Sequence, residues 1–268
     1  MTAQTRSEIA SLLERHGLAP IHRLGQHFLA DGNITRKIAA LADLGPGSKV
    51  VEVGAGTGTL TRALADTGAR VVTYEVDSGL RPLLEDVTAG LDVEVRFADV
   101  MGVNFAAALV GPGWRMVANL PYNVGTPVVL DALQNAPDIE RFVVMVQNEV
   151  ARRLAASVGS DDYGLPSVVV GIYGVARLAF TVPPQVFYPP PRVESAVVVI
   201  ERGQTQAHAS RAVDLARAGF GQRRKMLRGS LAGVLSEPEA TLRQADIAPT
   251  SRAEDLAPED YLRLAAVS

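Results

Sequence analysis

The sequence contains no cysteine. Disulfide bonds, thiolate nucleophiles and cysteine-ligated zinc or iron–sulfur centres are therefore excluded. Histidine is also scarce, because the chain has only 4. None of the pairs among them has the spacing of metal ligands on one helical face. We therefore predict no metal site and do not expect a metal-dependent enzyme.

Long apolar runs are also missing. No stretch approaches the roughly 20 consecutive apolar residues that a membrane-spanning helix requires. The first residues, MTAQTRSEIASLLERHG, mix acids and bases along a helical period and lack the apolar core of a signal peptide. We expect a cytoplasmic protein with no membrane association. The net charge of −3 gives no general attraction to nucleic acid, so any RNA binding must depend on local basic patches.

Between residues 49 and 147, short runs rich in β-branched residues alternate with helix-like segments. Apolar runs of this length are typical of parallel strands that are covered by helices on both faces. The pattern predicts an α/β fold with a doubly wound, mainly parallel sheet. The predicted strands are residues 49–53, 69–76, 93–98, 114–118 and 141–146.

Two further strands are predicted at 175–182 and 195–202, on either side of a proline-dense segment. We expect them to pair with each other and to complete a sheet of seven strands. Two helices are predicted before the first strand of the alternating region, at about 5–16 and 33–43. Asn33 is a plausible N-cap of the second helix.

The chain is expected to contain two domains. Residues 203–209 are small and polar, which favours a linker, and the pattern beyond them is helical throughout. We therefore predict a larger domain over residues 1–203, with an N-terminal helical extension, and a small helical domain over residues 204–268.

A glycine-rich segment, EVGAGTG, follows the first predicted strand. Gly54 and Gly56 permit a sharp turn and let the backbone approach a ligand closely. The spacing differs from the dinucleotide-binding fingerprint, and the lysine of a phosphate-binding P-loop is absent. Taken alone, the segment is also compatible with a structural turn.

Two acidic residues end the next two strands. Glu75 ends the second strand and Asp99 follows the third. At the carboxyl edge of a parallel sheet, Glu75 can accept hydrogen bonds from both hydroxyls of a ribose, and Asp99 can accept one from an adenine amino group. Each acid alone could be a surface residue or a helix cap. Together with the glycine segment, they predict a pocket for an adenosine-containing ligand.

The fourth strand ends in the segment VANLPY. Pro121 restricts Leu120 to extended geometry, so the oxygens of this corner point in a fixed direction. The side-chain oxygen of Asn119 and a neighbouring backbone carbonyl can accept the two hydrogens of an exocyclic amine, which favours the charge that develops on nitrogen during attack. Tyr122 can stack on the base that carries this amine.

EVGAGTG and NLPY resemble motifs I and IV of the S-adenosylmethionine-dependent N6-adenine methyltransferases. Five more stretches resemble the small-subunit ribosomal RNA adenine N6-dimethyltransferase family over nearly the whole chain: RLGQHFLAD, MVQNEVARRL, YGLPS, VFYPPPRVESAVV and FGQRRKMLR. The resemblance implies a Rossmann-like class I methyltransferase fold and S-adenosyl-L-methionine as cofactor. It also implies dimethylation of two adjacent adenines of 16S ribosomal RNA, with the small ribosomal subunit as partner. We expect the protein to act as a monomer during ribosome biogenesis.

The same resemblance implies roles for individual residues. His27 stands where the family usually has asparagine, and because imidazole also donates or accepts one hydrogen bond, we expect the contact with the cofactor to be retained. Phe187 resembles the aromatic residue that faces Tyr122 across the target base. The implied cofactor-binding residues are His27, Leu29, Gly54, Gly56, Glu75, Asp99 and Asn119. The implied catalytic residues are Asn119, Leu120, Pro121, Tyr122 and Phe187.

The segment GQRRKMLR concentrates basic residues, and no acid occurs between residues 216 and 235. A solvated helix face would also be rich in charge. The lack of neighbouring acids favours a surface that contacts RNA phosphates. The predicted RNA-binding residues are Arg152, Arg153, Arg223, Arg224, Lys225 and Arg228.

Two other functions are compatible with these motifs. The first is methylation of large-subunit ribosomal RNA, which confers antibiotic resistance and which shares the early motifs. The second is an RNA-binding assembly factor for which methylation is secondary. The intact motifs I and IV favour an active enzyme, and the NLPY and PPPRVESAVV segments favour the small subunit.

Overall fold

The computed structural model describes residues 4–268. Its main element is a seven-stranded, mostly parallel sheet in the order β4-β3-β2-β5-β6-β9-β7. The expected doubly wound α/β fold is therefore confirmed, and the two late strands, β7 and β9, lie next to each other. The strands of this sheet are β2 (Lys49–Val53), β3 (Arg70–Glu75), β4 (Val93–Phe97), β5 (Trp114–Asn119), β6 (Ile139–Gln147), β7 (Gly174–Val182) and β9 (Ser195–Arg202).

Two short strands form a separate antiparallel pair. They are β1 (Phe28–Leu29) and β8 (Phe187–Tyr188), with Phe28 opposite Tyr188 and Leu29 opposite Phe187. Neither strand is predicted from the sequence, because two residues are too few to show a period. The pair joins the segment before the first long strand to the proline-rich segment before β9.

The order of the strands reverses between β2 and β5. From β2 the chain continues outward through β3 and β4 on one side, and β5 then pairs with β2 on its other side, in parallel. In open α/β sheets, ligands bind at the carboxyl ends of the strands beside such a switch point. The segments that follow β2 and β5, EVGAGTG and NLPY, are therefore brought together here.

Helices connect the strands and make up most of the chain after β9. Asp31, and not Asn33 as predicted, caps the second helix, because its carboxylate accepts the backbone N–H groups of Asn33 and Ile34 at 2.8 and 3.0 Å. The helices are α1 (Arg6–Arg15), α2 (Gly32–Leu41), α3 (Thr59–Ala65), α4 (Arg81–Thr88), α5 (Phe105–Ala108), α6 (Gly125–Asn135), α7 (Asn148–Leu154), α8 (Leu165–Tyr173), α9 (Ala209–Gly221), α10 (Leu227–Ser230), α11 (Pro238–Gln244) and α12 (Pro258–Ala266).

The chain divides into two units. The first comprises residues up to Ala151 together with Arg177–Ile200, and the second comprises Arg152–Ala176 together with Glu201–Ser268. The second unit therefore also contains residues 152–176, which the sequence assigns to the first domain. Within it α8 packs on α9 and α12, and the Tyr163 hydroxyl donates a hydrogen bond to the Leu256 carbonyl at 2.8 Å.

One acidic side chain is completely buried in the first unit. Glu52, in β2, accepts a hydrogen bond from the Thr61 hydroxyl at 2.6 Å, while its other carboxyl oxygen has no partner among the described residues. Burial raises the pKa of Glu52 to about 7, against the opposing effect of the Thr61 hydrogen bond, and the nearby charge of Glu75 raises the pKa further.

The raised pKa of Glu52 makes the stability of the protein depend on pH. The folded state holds the Glu52 proton up to about pH 7, whereas the unfolded chain releases it near 4.5. The contribution of neutral Glu52 to the free energy of unfolding is therefore complete below pH 4.5 and is lost as the pH rises through about 7. Over this range the free energy of unfolding falls by at most about 1.4 kcal/mol per pH unit. Between pH 5 and pH 8, we expect the free energy of unfolding to decrease in the wild type by at least about 1 kcal/mol more than in Glu52→Gln, which has no carboxyl group to ionise.

Urea unfolding of both proteins at the two pH values measures this difference. Titrating groups that do not interact with Glu52 contribute equally to both proteins and cancel in the comparison, whereas Glu75 is coupled to Glu52 and its change is part of the measured difference. Equal losses of stability in the wild type and in Glu52→Gln would contradict the prediction.

Within residues 4–268, no helix combines the length and the apolar character that are needed to cross a bilayer.

Candidate active site

A cavity of about 220 Å³ lies at the carboxyl edge of the sheet, in the first unit. Its walls come from the segments that follow β2, β3, β4 and β5 and from the segment that leads into β1. Of the residues predicted for the cofactor, all seven line it: His27, Leu29, Gly54, Gly56, Glu75, Asp99 and Asn119. In the order of the sheet, the strand-end groups run from Asp99 through Glu75 and Gly54 to Asn119.

The glycine segment turns sharply at the floor of the cavity. Gly54 has φ of 81°, a left-handed conformation that favours glycine. A methyl group added there would lie 3.5 Å from Pro121 and 3.6 Å from the Asn119 carbonyl oxygen. Gly56 also has a positive φ, and a methyl group on it would lie 2.9 Å from the Phe28 ring. The missing side chains leave room for a ligand to approach the backbone.

The carboxylate of Glu75 is held in place by two backbone groups. The N–H of Gly56 donates to one oxygen and the N–H of Asp77 to the other, each at 2.9 Å. Burial raises the pKa of Glu75, while these hydrogen bonds act in the opposite direction. Each oxygen retains a further lone pair, so the carboxylate can still accept hydrogen bonds from two ribose hydroxyls.

Asp99 and two apolar side chains form the far end of the cavity. One carboxyl oxygen of Asp99 accepts the N–H of Met101 at 3.0 Å, and the other has no partner among the described residues. Val76 and Met101 line the same end and are 49% and 51% exposed, which is unusual for apolar side chains beside a pocket unless they contact a ligand. Apolar side chains beside a carboxylate acceptor suit a flat apolar ring that carries an amino group.

At the NLPY corner, two oxygens remain available as acceptors. The side-chain amide of Asn119 donates from Nδ2 to the backbone carbonyl of His27 at 3.1 Å, which leaves Oδ1 without a partner among the described residues. The Pro121 carbonyl already accepts the N–H groups of Val124 and Gly125 at the start of α6. The Leu120 carbonyl accepts no hydrogen bond within residues 4–268. Asn119 Oδ1 and the Leu120 carbonyl are therefore the acceptor pair that the structure offers.

Tyr122 lines the cavity beside these acceptors and makes two contacts. Its hydroxyl shares a hydrogen bond of 2.7 Å with the Ser195 hydroxyl. Its ring lies against the imidazole of His27, with 5.5 Å between the ring centroids and a tilt of 30°. His27 Nδ1 donates to the Pro189 carbonyl at 2.8 Å. Ser195 is not among the residues predicted from the sequence, because a serine at the start of a strand carries no signal of its own.

Phe187 is placed differently from the sequence expectation. Its side chain is fully buried in the core with Leu29 and does not line the cavity, so in this conformation it offers no face to a base opposite Tyr122. The reason is the pairing of β8 with β1, which directs this side chain into the apolar core. The aromatic ring that contacts Tyr122 is that of His27.

The six predicted RNA-binding residues all lie in the second unit, but ion pairs divide them. Arg152, Arg223 and Arg228 are paired with Asp162, Glu254 and Glu239 at 3.3, 2.7 and 3.3 Å. Of the two acids that pair with the GQRRKMLR segment, Glu254 is distant from it in sequence and Glu239 is near. Arg224 and Lys225 are exposed and have no ion-pair partner among the described residues. Arg153 is also exposed, and its carbonyl accepts the Ser167 hydroxyl.

Comparison with known proteins gives consistent results. The family model described as ribosomal RNA adenine dimethylase matches residues 21–268. The ribosomal RNA small subunit methyltransferase A of Phenylobacterium zucineum is 43% identical over 269 residues, which cover 99% of this chain and 94% of that protein. The protein of the same name from Leifsonia xyli subsp. xyli is 44% identical over 273 residues, which cover 97% of this chain and 96% of that protein.

Two solved structures are similar to this chain. A dimethyladenosine transferase from Plasmodium falciparum has a TM-score of 0.77 at 24% identity, covering 89% of this chain and 96% of its own, and supports the fold. The 23S rRNA methyltransferase ErmE has a TM-score of 0.68 at 28% identity, covering 90% of this chain and 98% of its own.

Proposed function

Because this chain belongs to the ribosomal RNA adenine dimethylase family, we propose that it dimethylates N6 of two adjacent adenines in 16S ribosomal RNA, with S-adenosylmethionine as the methyl donor. It is a methyltransferase with a class I fold, and its curated relatives carry the name of the small-subunit enzyme. The observation that carries the proposal is the acceptor pair of Asn119 Oδ1 and the Leu120 carbonyl, next to Gly54 at the switch point of the sheet.

The cavity has the groups that this cofactor requires. Glu75 would hold the ribose hydroxyls, and Asp99 would accept the adenine amino group between Val76 and Met101. Gly54 leaves space for the methionine part beside Asn119, and His27 and Leu29 line the same cavity. When bound, S-adenosylmethionine supplies an electrophilic methyl group on a positively charged sulfur.

The residues of the NLPY corner make the adenine amine reactive through position and charge. The lone pair of an exocyclic amine is conjugated with the purine ring, so the amine is a weak nucleophile. Acceptance of its two hydrogens by Asn119 Oδ1 and the Leu120 carbonyl favours the positive charge that nitrogen gains as it attacks. Tyr122 stacks on the base and fixes its plane. No general base is needed, because the product ammonium loses its proton readily to water.

A second transfer to the same nitrogen requires a different arrangement. A monomethylated amine has one hydrogen left, so only one of the two acceptors can be satisfied, and the nitrogen must rotate to direct its lone pair at the methyl donor. The cavity must also accept the first methyl group beside the base. The enzyme therefore contributes mainly orientation.

The proposal is tested with small ribosomal subunits that lack the modification. Incubation with purified protein and labelled S-adenosylmethionine should yield N6,N6-dimethyladenosine on nucleoside analysis, at two neighbouring positions on primer extension. Methylation of large-subunit RNA in place of 16S RNA would overturn the assignment of substrate. Tight binding to subunits without any methyl transfer would favour an assembly factor. We also propose that the protein acts as a monomer in the cytoplasm, where its substrate is assembled.

Among the six predicted RNA-binding residues, we expect Arg224 and Lys225 to contribute most to RNA affinity, because they are exposed and have no ion-pair partner among the described residues. Arg224→Gln with Lys225→Gln should weaken binding to the small subunit about tenfold at moderate salt, because two phosphate contacts are lost. Arg223→Gln with Arg228→Gln removes the same charge from side chains that Glu254 and Glu239 already neutralise, and should weaken binding less.

Filter binding at several salt concentrations measures both pairs of variants. Cofactor affinity should not change in either, because none of the four residues lines the cavity. Equal weakening by the two pairs, with unchanged melting temperatures, would show that ion pairing does not decide which residues contact RNA.

A further inference from the structure

Ser195 is the first residue of β9, and its side chain is completely buried. Its hydroxyl lies 2.7 Å from the hydroxyl of Tyr122. A buried hydroxyl without a hydrogen-bond partner is costly, so each of these two groups stabilises the position of the other. Tyr122 follows β5 on the NLPY corner, while Ser195 belongs to the sheet itself. The hydrogen bond therefore ties the hydroxyl end of the Tyr122 side chain to the sheet.

The ring of Tyr122 is supported on one side by His27. The two ring centroids are 5.5 Å apart, whereas a purine sandwiched between two rings needs about 7 Å, or two stacking distances. The target base therefore cannot enter between His27 and Tyr122, and the opposite face of the Tyr122 ring is the one that remains for stacking.

The imidazole of His27 is itself held at a fixed angle. Its Nδ1 donates to the Pro189 carbonyl at 2.8 Å, and its backbone carbonyl accepts the Asn119 side-chain amide at 3.1 Å. His27 thus contacts both the stacking residue and the acceptor residue. An asparagine at this position would lack the ring that packs against Tyr122.

We propose that Ser195 and the imidazole of His27 are positioning residues for methyl transfer, which hold the Tyr122 ring in the orientation that stacks on the target adenine. The inference rests on the proposed function, because Tyr122 needs a fixed orientation only if a base stacks on it. Ser195 fixes the hydroxyl end of the ring and His27 supports one of its faces. Neither residue touches the reacting atoms.

A double-mutant cycle on the whole protein tests the contact between Ser195 and Tyr122. Ser195→Ala and Tyr122→Phe remove the same hydrogen bond from its two sides. Each should lower the single-turnover rate of methyl transfer about tenfold, because misorientation of the base lowers the population of reactive geometry. The double variant should be no slower than either single variant, since the interaction is already lost. The KM for S-adenosylmethionine should not change.

Two comparisons keep the result specific. Ser230→Ala removes a buried serine hydroxyl that has no partner among the described residues and should leave the rate unchanged. His27→Asn should lower the rate about threefold and change cofactor affinity by only a small factor, because a donor is retained while the supporting ring is lost. His27→Phe, which keeps a ring, should recover most of that rate.

The outcomes separate this inference from the proposed function. Multiplicative effects of Ser195→Ala and Tyr122→Phe, or a wild-type rate in Ser195→Ala, would overturn the role of Ser195. A wild-type rate in His27→Asn would overturn that of His27. Asn119→Ala in the same assay reports on the proposed function itself, because it removes the acceptor Oδ1, and a wild-type rate there would contradict the acceptor pair whatever the results for Ser195 and His27.

Discussion

Replacement of Asn119 by alanine is expected to lower the rate of methyl transfer about 10²–10³-fold, the usual cost of removing one preorganised hydrogen-bonding group from a reacting centre. Alanine leaves the Leu120 carbonyl as a single acceptor for an amine with two hydrogens. It also frees the His27 carbonyl, which accepts the Asn119 amide at 3.1 Å. Single-turnover reactions with labelled cofactor and unmodified small subunits measure the effect on the chemical step.

The binding of both substrates should survive this change. Asn119→Ala is expected to bind small subunits like the wild type and to keep most of its cofactor affinity, because Glu75 and Asp99 are unchanged. Asn119→Asp keeps an acceptor but faces the His27 carbonyl with a second oxygen, so an intermediate rate is expected. Asn135→Ala, on the exposed end of α6, removes an asparagine outside the cavity whose side chain donates a hydrogen bond to Asp131, and should have no effect. A rate within a few fold of wild type for Asn119→Ala would contradict the acceptor-pair mechanism.

Replacement of Glu75 by alanine is expected to weaken the binding of S-adenosylmethionine about 100-fold. The carboxylate would otherwise accept the ribose hydroxyls, and a hydrogen bond to a charged group contributes about 1.5–3 kcal/mol. The change also releases the N–H groups of Gly56 and Asp77, which the carboxylate orders at 2.9 Å. Isothermal titration calorimetry measures the affinity directly.

Glutamine at position 75 should be nearly as damaging as alanine. Both carboxylate oxygens accept backbone N–H groups, so an amide must direct its own NH₂ group at one of these donors. Glu94→Ala, on the neighbouring strand β4, removes an exposed carboxylate outside the cavity and is the matched control. Unchanged cofactor affinity in Glu75→Gln would show that the ribose is held elsewhere.

Much of this site could be predicted because its groups share one kind of position in the sequence, the carboxyl end of a predicted strand. Each of the strand-end groups terminates or directly follows a short apolar strand, and the carboxyl ends of parallel strands meet at one edge. Knowledge that Gly54, Glu75, Asp99 and Asn119 follow consecutive strands was therefore enough to predict that they line one pocket. The pattern of β-branched runs also located the strands of the main sheet to within about two residues.

Features that depend on contacts between distant residues could not be predicted in this way. The burial of Phe187 follows from the pairing of β8 with β1, and two-residue strands have no detectable period. Arg223 has no acid near it in sequence, yet Glu254 lies 2.7 Å away in the fold. The hydrogen bond between Tyr122 and Ser195 joins residues that are 73 positions apart.

The packing of α8 is a further case. Its sequence, LPSVVVGIY, indicates a buried element but does not indicate which other elements cover it. In the structure α9 and α12 do so, and residues 152–176 therefore belong to the second unit. The boundary predicted from composition at residue 203 differs from this division, in which residues 152–176 join the second unit.

The cavity lies at the carboxyl ends of the parallel strands, so a spectroscopic probe can be attached at their amino ends without entering it. The strand-end groups of the cavity, Gly54, Glu75, Asp99 and Asn119, lie at the carboxyl ends of β2 to β5. The turn that enters β5 carries Val110, which is 79% exposed and lies outside the cavity. Since the chain has no thiol of its own, Val110→Cys would create a unique attachment point. A fluorophore there would test in real time whether the protein binds the small ribosomal subunit, the proposed substrate, while the cavity at the other end of the strand stays unlabelled.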